Sequence, residues 1–201
     1  MIDWIDPTFL WSLISGIDWY TFLFGDGTKN LCDEFLIGRY VVSVSGVTAG
    51  LKYGEIVFDD VTSPGNVNGI HAGIRLLSTA GSVRSGMCVS SSGLIWFSDA
   101  ALNFPNHTDG PTFTAGQVAM FAVNNTNGKC WLGKVGTGWY ASGDPAAGTG
   151  QVVTLATGLF HLGAALERDG ATPTAGAQFS LRTQSSQFTG SIPSGFSAWY
   201  P

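Results

Sequence analysis

Residues 116–150, GQVAMFAVNNTNGKCWLGKVGTGWYASGDPAAGTG, decide the fold. Val118, Met120 and Val123, with Ala119 and Phe121 on the other face, make an alternating apolar run that meets Asn124-Asn125-Thr126-Asn127-Gly128. A second alternating run, Cys130 to Lys134, follows at once. Alternation on both sides of an Asn/Gly-rich connection predicts a β-hairpin, because Asn and Gly accept the positive φ that tight turns demand. Trp131 of the second run is expected to fill the core. Beyond the hairpin, Trp139, Tyr140 and the stretch Gly143 to Gly150 have neither helical nor strand period, so they must be held from outside. Two aromatics on such a loop either plug a core or meet a ligand.

The composition extends that reading to the whole chain. Only 11% of the 201 residues are charged, 28 are glycine and 44% are hydrophobic. Charged helical faces cannot be written with that alphabet, whereas short strands joined by Gly/Ser/Thr/Asn turns can. The expectation is one all-β domain with a substantial core. A formal charge of −5 with nine scattered Lys and Arg excludes a phosphate-binding surface, so no nucleic acid is expected as a partner. Three cysteines, Cys32, Cys88 and Cys130, are too few and too widely spaced for a disulfide framework or a Cys-x-x-Cys metal site; free buried thiols are the expectation, with a single disulfide as the alternative. The start carries acids where a signal peptide would carry Lys or Arg, and Ser12, Ser15, Gly16 and Asp18 interrupt its apolar stretch. Neither a secretory signal nor membrane insertion is expected, since a span needs about 20 apolar residues.

Residues 1–35 stand apart from the remainder. Trp4, Phe9, Trp11, Trp19 and Phe22 crowd there, either as a first strand and turn packed on the sandwich or as an attachment segment docking on another chain. From residue 36 onward, strand patterns recur at short intervals: 35–45, 51–59, 69–77, 87–90, 94–98, 151–155, 159–166 and 177–182, besides the hairpin. In 51–59, Tyr53, Glu55, Val57 and Asp59 alternate against Ile56 and Phe58, which predicts a strand with one face buried. His71, within 69–77, has no second His or carboxylate at metal spacing and reads as structural. Residues 78–86 read as loop, and residues 99–113, with Asn106, His107 and Asp109, as a long irregular recognition loop. About ten strands with regular turns make a β-sandwich or jelly roll.

The hairpin and loop, through Asn127-Gly128-Lys129-Cys130-Trp131, Trp139 and Gly143-Asp144-Pro145-Ala146-Ala147-Gly148-Thr149, resemble the SPRY (B30.2-like) modules of tailed-bacteriophage proteins. Lys52 to Phe58, Gln178 to Arg182 and Pro193 to Trp199 are similar to further parts of that family's pattern, so the resemblance covers about residues 36–201. The chain departs from the pattern at Asn124, where an acid is usual, and at Arg182-Thr183, where the family carries Asn-Phe. The resemblance implies two antiparallel sheets face to face, with loops at one end forming a recognition surface. It also implies a virion protein made in the host cytoplasm, a homo-oligomer on the particle in contact with other virion proteins. On that reading Trp139, Tyr140, Asp144, Asn106, His107 and Asp109 meet a host-surface glycan; the alternative is a head or tail decoration protein that binds no receptor.

Catalytic chemistry is not expected. The chain has no Gly-x-Ser-x-Gly elbow and no His-Glu-x-x-His, and the 143–150 glycines lack the Gly-Lys-Ser/Thr ending of a phosphate loop. Asp59 and Asp60 are consecutive and point to opposite faces of a strand, which is wrong for a glycosidase pair. No cofactor and no metal are expected.

Overall fold

The computed structural model describes residues 38–42, 47–61, 70–77, 83–98, 106–167 and 178–200. The strands among them are Gly38–Val42 (β1), Leu51–Asp60 (β2), Ile70–Leu77 (β3), Val83–Ser90 (β4), Leu94–Ser98 (β5), Asn106–Asp109 (β6), Gln117–Asn124 (β7), Lys129–Lys134 (β8), Gly138–Trp139 (β9), Val153–Thr154 (β10), Leu159–Glu167 (β11), Gln178–Arg182 (β12) and Ser197–Ala198 (β13). Two short 3-10 turns, Tyr140–Ser142 and Ser185–Gln187, are the helical structure among the described residues. The attachment segment expected over 1–35 lies outside the described residues, as do Trp4, Phe9, Trp11, Trp19 and Phe22.

The strands make an all-β sandwich. A six-stranded sheet runs β1-β11-β3-β4-β5-β6, and a seven-stranded sheet runs β10-β8-β7-β2-β12 with β9 beside β8 and β13 beside β2. The ladders are antiparallel except for β13, which joins β2 in parallel at Ser197↔Lys52 and Ala198↔Tyr53. Between the sheets, Phe58, Phe121 and Leu132 from one side meet Met87, Phe160 and Leu162 from the other. Each such side chain, removed from water, contributes about 1.5–3 kcal/mol before the ordering cost.

The hairpin forms as expected, β7 and β8 closing at Asn124↔Lys129. Gly128 sits at φ +73, and a Cβ there would lie 1.8 Å from the Leu155 carbonyl oxygen. Only glycine therefore lets the segment leading out of β10 lie against the turn, where the Leu155 N–H donates to the Gly128 carbonyl at 2.9 Å.

Several expectations need correction. Residues 83–86, read as loop, are the first half of β4, because pairing with β3 overrides their Ser/Gly composition. Asn106, His107 and Asp109, read as an irregular loop, lie on the edge strand β6, which pairs with β5 from Leu94↔Asp109 to Phe97↔Asn106. The segment after the hairpin contains β9, which pairs Trp139 with Gly133. Strand β2 is buried on both faces, not one: Tyr53, Glu55 and Val57 are as enclosed as Ile56 and Phe58. Trp131 is buried too, but on the outer face of the seven-stranded sheet, since Cys130 and Leu132 take the inward positions beside it. Cys88 is disulfide-bonded, so the free-thiol expectation gives way there to the alternative of a single disulfide; Cys130 is a free thiol buried between the sheets.

Candidate functional site

The outer face of the seven-stranded sheet would be an apolar surface in water were it left bare. It carries Tyr53, Val57, Val118, Met120 and Trp131, all buried. Residues 183–196 form a strap that lies over it, and the chemistry that holds the strap is concentrated on one residue. Glu55 has no exposure to solvent. Its Oε1 accepts the Tyr53 hydroxyl at 2.8 Å and the Gly190 N–H at 2.7 Å. Its Oε2 accepts the Thr189 N–H at 2.9 Å and lies 3.6 Å from Arg182 Nη1, which also donates to the Thr189 hydroxyl. A buried carboxylate is tolerated when its lone pairs are filled by donors and a cation stands beside it. Burial first, then the hydrogen bond to Glu55 and its charge, push the Tyr53 phenol well above its usual range, so it remains a donor. Gly190 is required by the close approach: a Cβ there would meet the Tyr53 hydroxyl at 2.7 Å and Met120 Sδ at 2.9 Å.

Aromatic rings gather beside this clasp. Tyr53 lies at the bottom, with Phe188 of the strap edge-on to it at 4.9 Å between centroids and Trp139 edge-on from the hairpin side at 6.3 Å. Phe188 and Trp139 are both half-buried. Gly133 beneath Trp139 leaves room for the indole, whose Cε3 would be 3.0 Å from a Cβ there.

Tyr140 takes a different direction. Its ring packs against the core between the sheets, and its hydroxyl donates to the Asp109 carbonyl, joining the loop after β9 to the end of β6. Trp139 and Tyr140 are thus adjacent in sequence but lie on different sides of the seven-stranded sheet, and they offer no common stacking platform. The turn that follows places Ala141 at φ 51 and Ser142 at φ 57, a left-handed pair that non-glycine residues seldom adopt. The loop beyond is braced from within: Asp144 and Thr149 exchange backbone hydrogen bonds at 2.9 and 3.0 Å, and Asp144 Oδ1 accepts the Ala147 N–H at 3.1 Å. From β8, Trp131 Nε1 donates to the Thr149 carbonyl at 2.8 Å and Lys129 Nζ to that of Gly148 at 2.7 Å. Asp144 is exposed, yet its hydrogen bonds are those of a loop brace.

Of the residues expected to bind, Tyr140 and Asp109 are brought together, through the backbone of Asp109. Trp139 stands on the outer face, Asp144 is exposed at the far end of the loop, and Asn106 and His107 lie along β6. Sequence reasoning missed Phe188 and the Glu55 clasp. The available signal was an acid between Tyr53 and Val57 on one face of β2, where a solvated strand face would not alternate with large apolar groups. Among the described residues, no group of His, Cys, Asp and Glu is placed to hold a metal ion, and no helix is long and apolar enough to cross a membrane.

No family model matches the chain, and no curated protein matches it. Solved structures do resemble it. The SPRY domain of human HERC1 is 12% identical, over 72% of this chain and 82% of that one, with a TM-score of 0.49. The carbohydrate binding module CBM66 from Bacillus subtilis is 13% identical, over 64% of this chain and 77% of that one, with a TM-score of 0.38. A tetrameric galectin from the ball sponge Cinachyrella is 9% identical, over 72% of this chain and 99% of that one, with a TM-score of 0.37. These are likenesses of backbone course, and identities this low carry no residue's role across.

Proposed function

We propose that this chain is a non-enzymatic binding module that recognises a host-surface glycan, as a component of a tailed-bacteriophage virion. The observation that carries the binding reading is Trp139: a half-buried residue whose indole is held edge-on against Tyr53 over Gly133. An aromatic ring fixed in this way offers a flat apolar face at no further ordering cost, which suits the C–H face of a sugar ring. The virion setting is supported by the Asn-Gly-Lys hairpin followed by Gly-Asp-Pro-Ala-Ala-Gly-Thr, the combination shared with phage SPRY modules. The absence of catalysis is supported by the carboxylates themselves. Glu55 is enclosed beneath the strap, while Asp59 is exposed and accepts the Ser180 hydroxyl at 2.6 Å, so the two do not share an open cleft.

The test is binding of the fluorescently labelled full chain to a panel of bacterial cells, before and after periodate oxidation of their surface sugars. Binding that disappears after periodate, and with Trp139→Ala, is the expected result. Binding that survives periodate points to a protein receptor and overturns the proposal.

A further inference from the structure

We infer that residues 1–37 fold back as a third layer over the outer face of the six-stranded sheet and are latched there by a disulfide between Cys32 and Cys88. This goes beyond the glycan reading and does not depend on it. In β4, Met87 and Val89 point into the core between the sheets, so Gly86 and Cys88 face outward. In β11, Phe160 and Leu162 take the inward positions and leave His161 and Gly163 outward. The register sets Gly163, Gly73 and Cys88 in one row across the sheet, and Gly86 in the next row with His161. Gly73, Gly86 and Gly163 are all buried, and Cys88 and His161 have no exposure at all. Glycines bring no side chains to shelter their neighbours, so burial on this face needs another layer of chain above it. These positions are buried within the single chain, so that layer belongs to the chain itself. Every described strand belongs to one of the two sheets, and the strap over 183–196 lies on the other sheet.

The disulfide says which segment supplies the layer. The sequence has three cysteines; Cys130 is a free thiol in the core, Cys88 is bonded, and Cys32 remains. The connections 43–46, 62–69, 78–82, 99–105 and 168–177 contain no cysteine. Reach agrees with the pairing. Val42 of β1 stands in the same row as Gly163, Gly73 and Cys88, three strand spacings or about 14 Å from the cysteine. Gly38 lies four residues before Val42, about 13 Å along the strand. The diagonal from Gly38 to Cys88 is therefore about 19 Å, and the six steps back to Cys32 span roughly 20 Å when extended, before the disulfide adds its own 5–6 Å. Forming the bond takes two protons and two electrons from the two thiols and passes them to a low-molecular-weight disulfide, which leaves as two thiols. The aromatics of residues 1–35 then serve their own sandwich, and the glycine row is a floor that a second backbone can approach closely.

The test maps peptides of the full-length protein after exposure to oxidised glutathione, alkylation in denaturant without reductant, and trypsin. The expected result is a monomer in which residues 30–39 are joined to residues 85–129 and separate from them on adding dithiothreitol, with the alkyl group on residues 130–134. Chymotrypsin reads the layer: cleavage within residues 1–37 of the folded protein becomes about tenfold faster or more in Cys32→Ser. Wild-type protein treated with dithiothreitol, its sandwich checked by circular dichroism, gives the same comparison without a substitution. Alkylation of both Cys32 and Cys88, a bond from residues 85–129 to residues 130–134, or a bond to a second copy in a dimer overturns the pairing. Cleavage within residues 1–37 at equal rates in the linked and unlinked protein overturns the layer.

Discussion

Replacing Glu55 by alanine removes the acceptor on which three donors converge: the Tyr53 hydroxyl at 2.8 Å, the Gly190 N–H at 2.7 Å and the Thr189 N–H at 2.9 Å. Hydrogen bonds to a charged group contribute about 1.5–3 kcal/mol each, but the three losses are not equal. Thr189 is exposed and Gly190 half-buried, so once the strap loosens water satisfies both amides. Tyr53 is fully enclosed, and its hydroxyl is left without a partner, at a cost of about 1–3 kcal/mol. Adding the freed Arg182 and the weakened strap, the expected loss is about 3 kcal/mol, or a Tm lower by roughly 6–12 °C in a chain of this size. Urea unfolding followed by circular dichroism measures it directly. Tyr53→Phe removes the stranded hydroxyl, so the double variant is destabilised by less than the sum of the two single ones. Trypsin supplies a second readout, because Arg182 opens the strap and cleavage after it becomes faster in Glu55→Ala. A loss under about 1 kcal/mol, or strict additivity with Tyr53→Phe, would refute the role of Glu55 as the clasp.

Three further outcomes follow from the same geometry. Gly128→Ala sets a Cβ 1.8 Å from the Leu155 oxygen at a positive φ, so it costs well over the roughly 1–2 kcal/mol of the backbone term alone and lowers the urea midpoint. Trp131→Phe keeps the ring but loses the 2.8 Å bond to the Thr149 carbonyl; about 1 kcal/mol of stability is lost, and amide exchange quickens over 144–150. Burial pushes the Cys130 thiol far above its usual range, so almost none is thiolate at neutral or mildly alkaline pH. A thiol reagent at mildly alkaline pH is therefore expected to modify Cys130 only after denaturant is added, and rapid reaction with the native protein would contradict its placement between the sheets.

Much of the sandwich was legible because period-two alternation survives wherever one strand face meets the core and the other meets something different. The hairpin shows this: Asn124 to Gly128 announces the turn, and the flanking runs announce the strands. Strand β6 was illegible for a physical reason. Asn106 to Asp109 is polar throughout, and it is a strand because β5 supplies a ladder, which local composition does not encode. Trp131 was assigned to the wrong side because alternation gives the two faces of β8 without saying which one points inward. That depends on what covers each face, and the cover of the outer face is the strap, more than fifty residues later in the chain. At the candidate site, Trp139 could be singled out as an aromatic on a loop, but its separation from Tyr140 depends on the bend after β9, where Ala141 takes a backbone conformation its type disfavours.

The parallel pairing of β13 with the start of β2 sets an order on how this protein can be made. Ala198 reaches Lys52 across 146 positions, and Tyr200 returns an N–H to the Thr183 carbonyl at 2.9 Å. Contacts of such separation raise contact order and slow folding, since the loop must close before any contact rewards it. On the ribosome, β2, β7 and β8 can assemble early, but Tyr53, Met120 and Trp131 stay open to water until residues 183–196 have emerged. The nascent chain therefore passes through a stage with a broad, sticky sheet face, and its yield in a cell depends on how briefly that stage lasts.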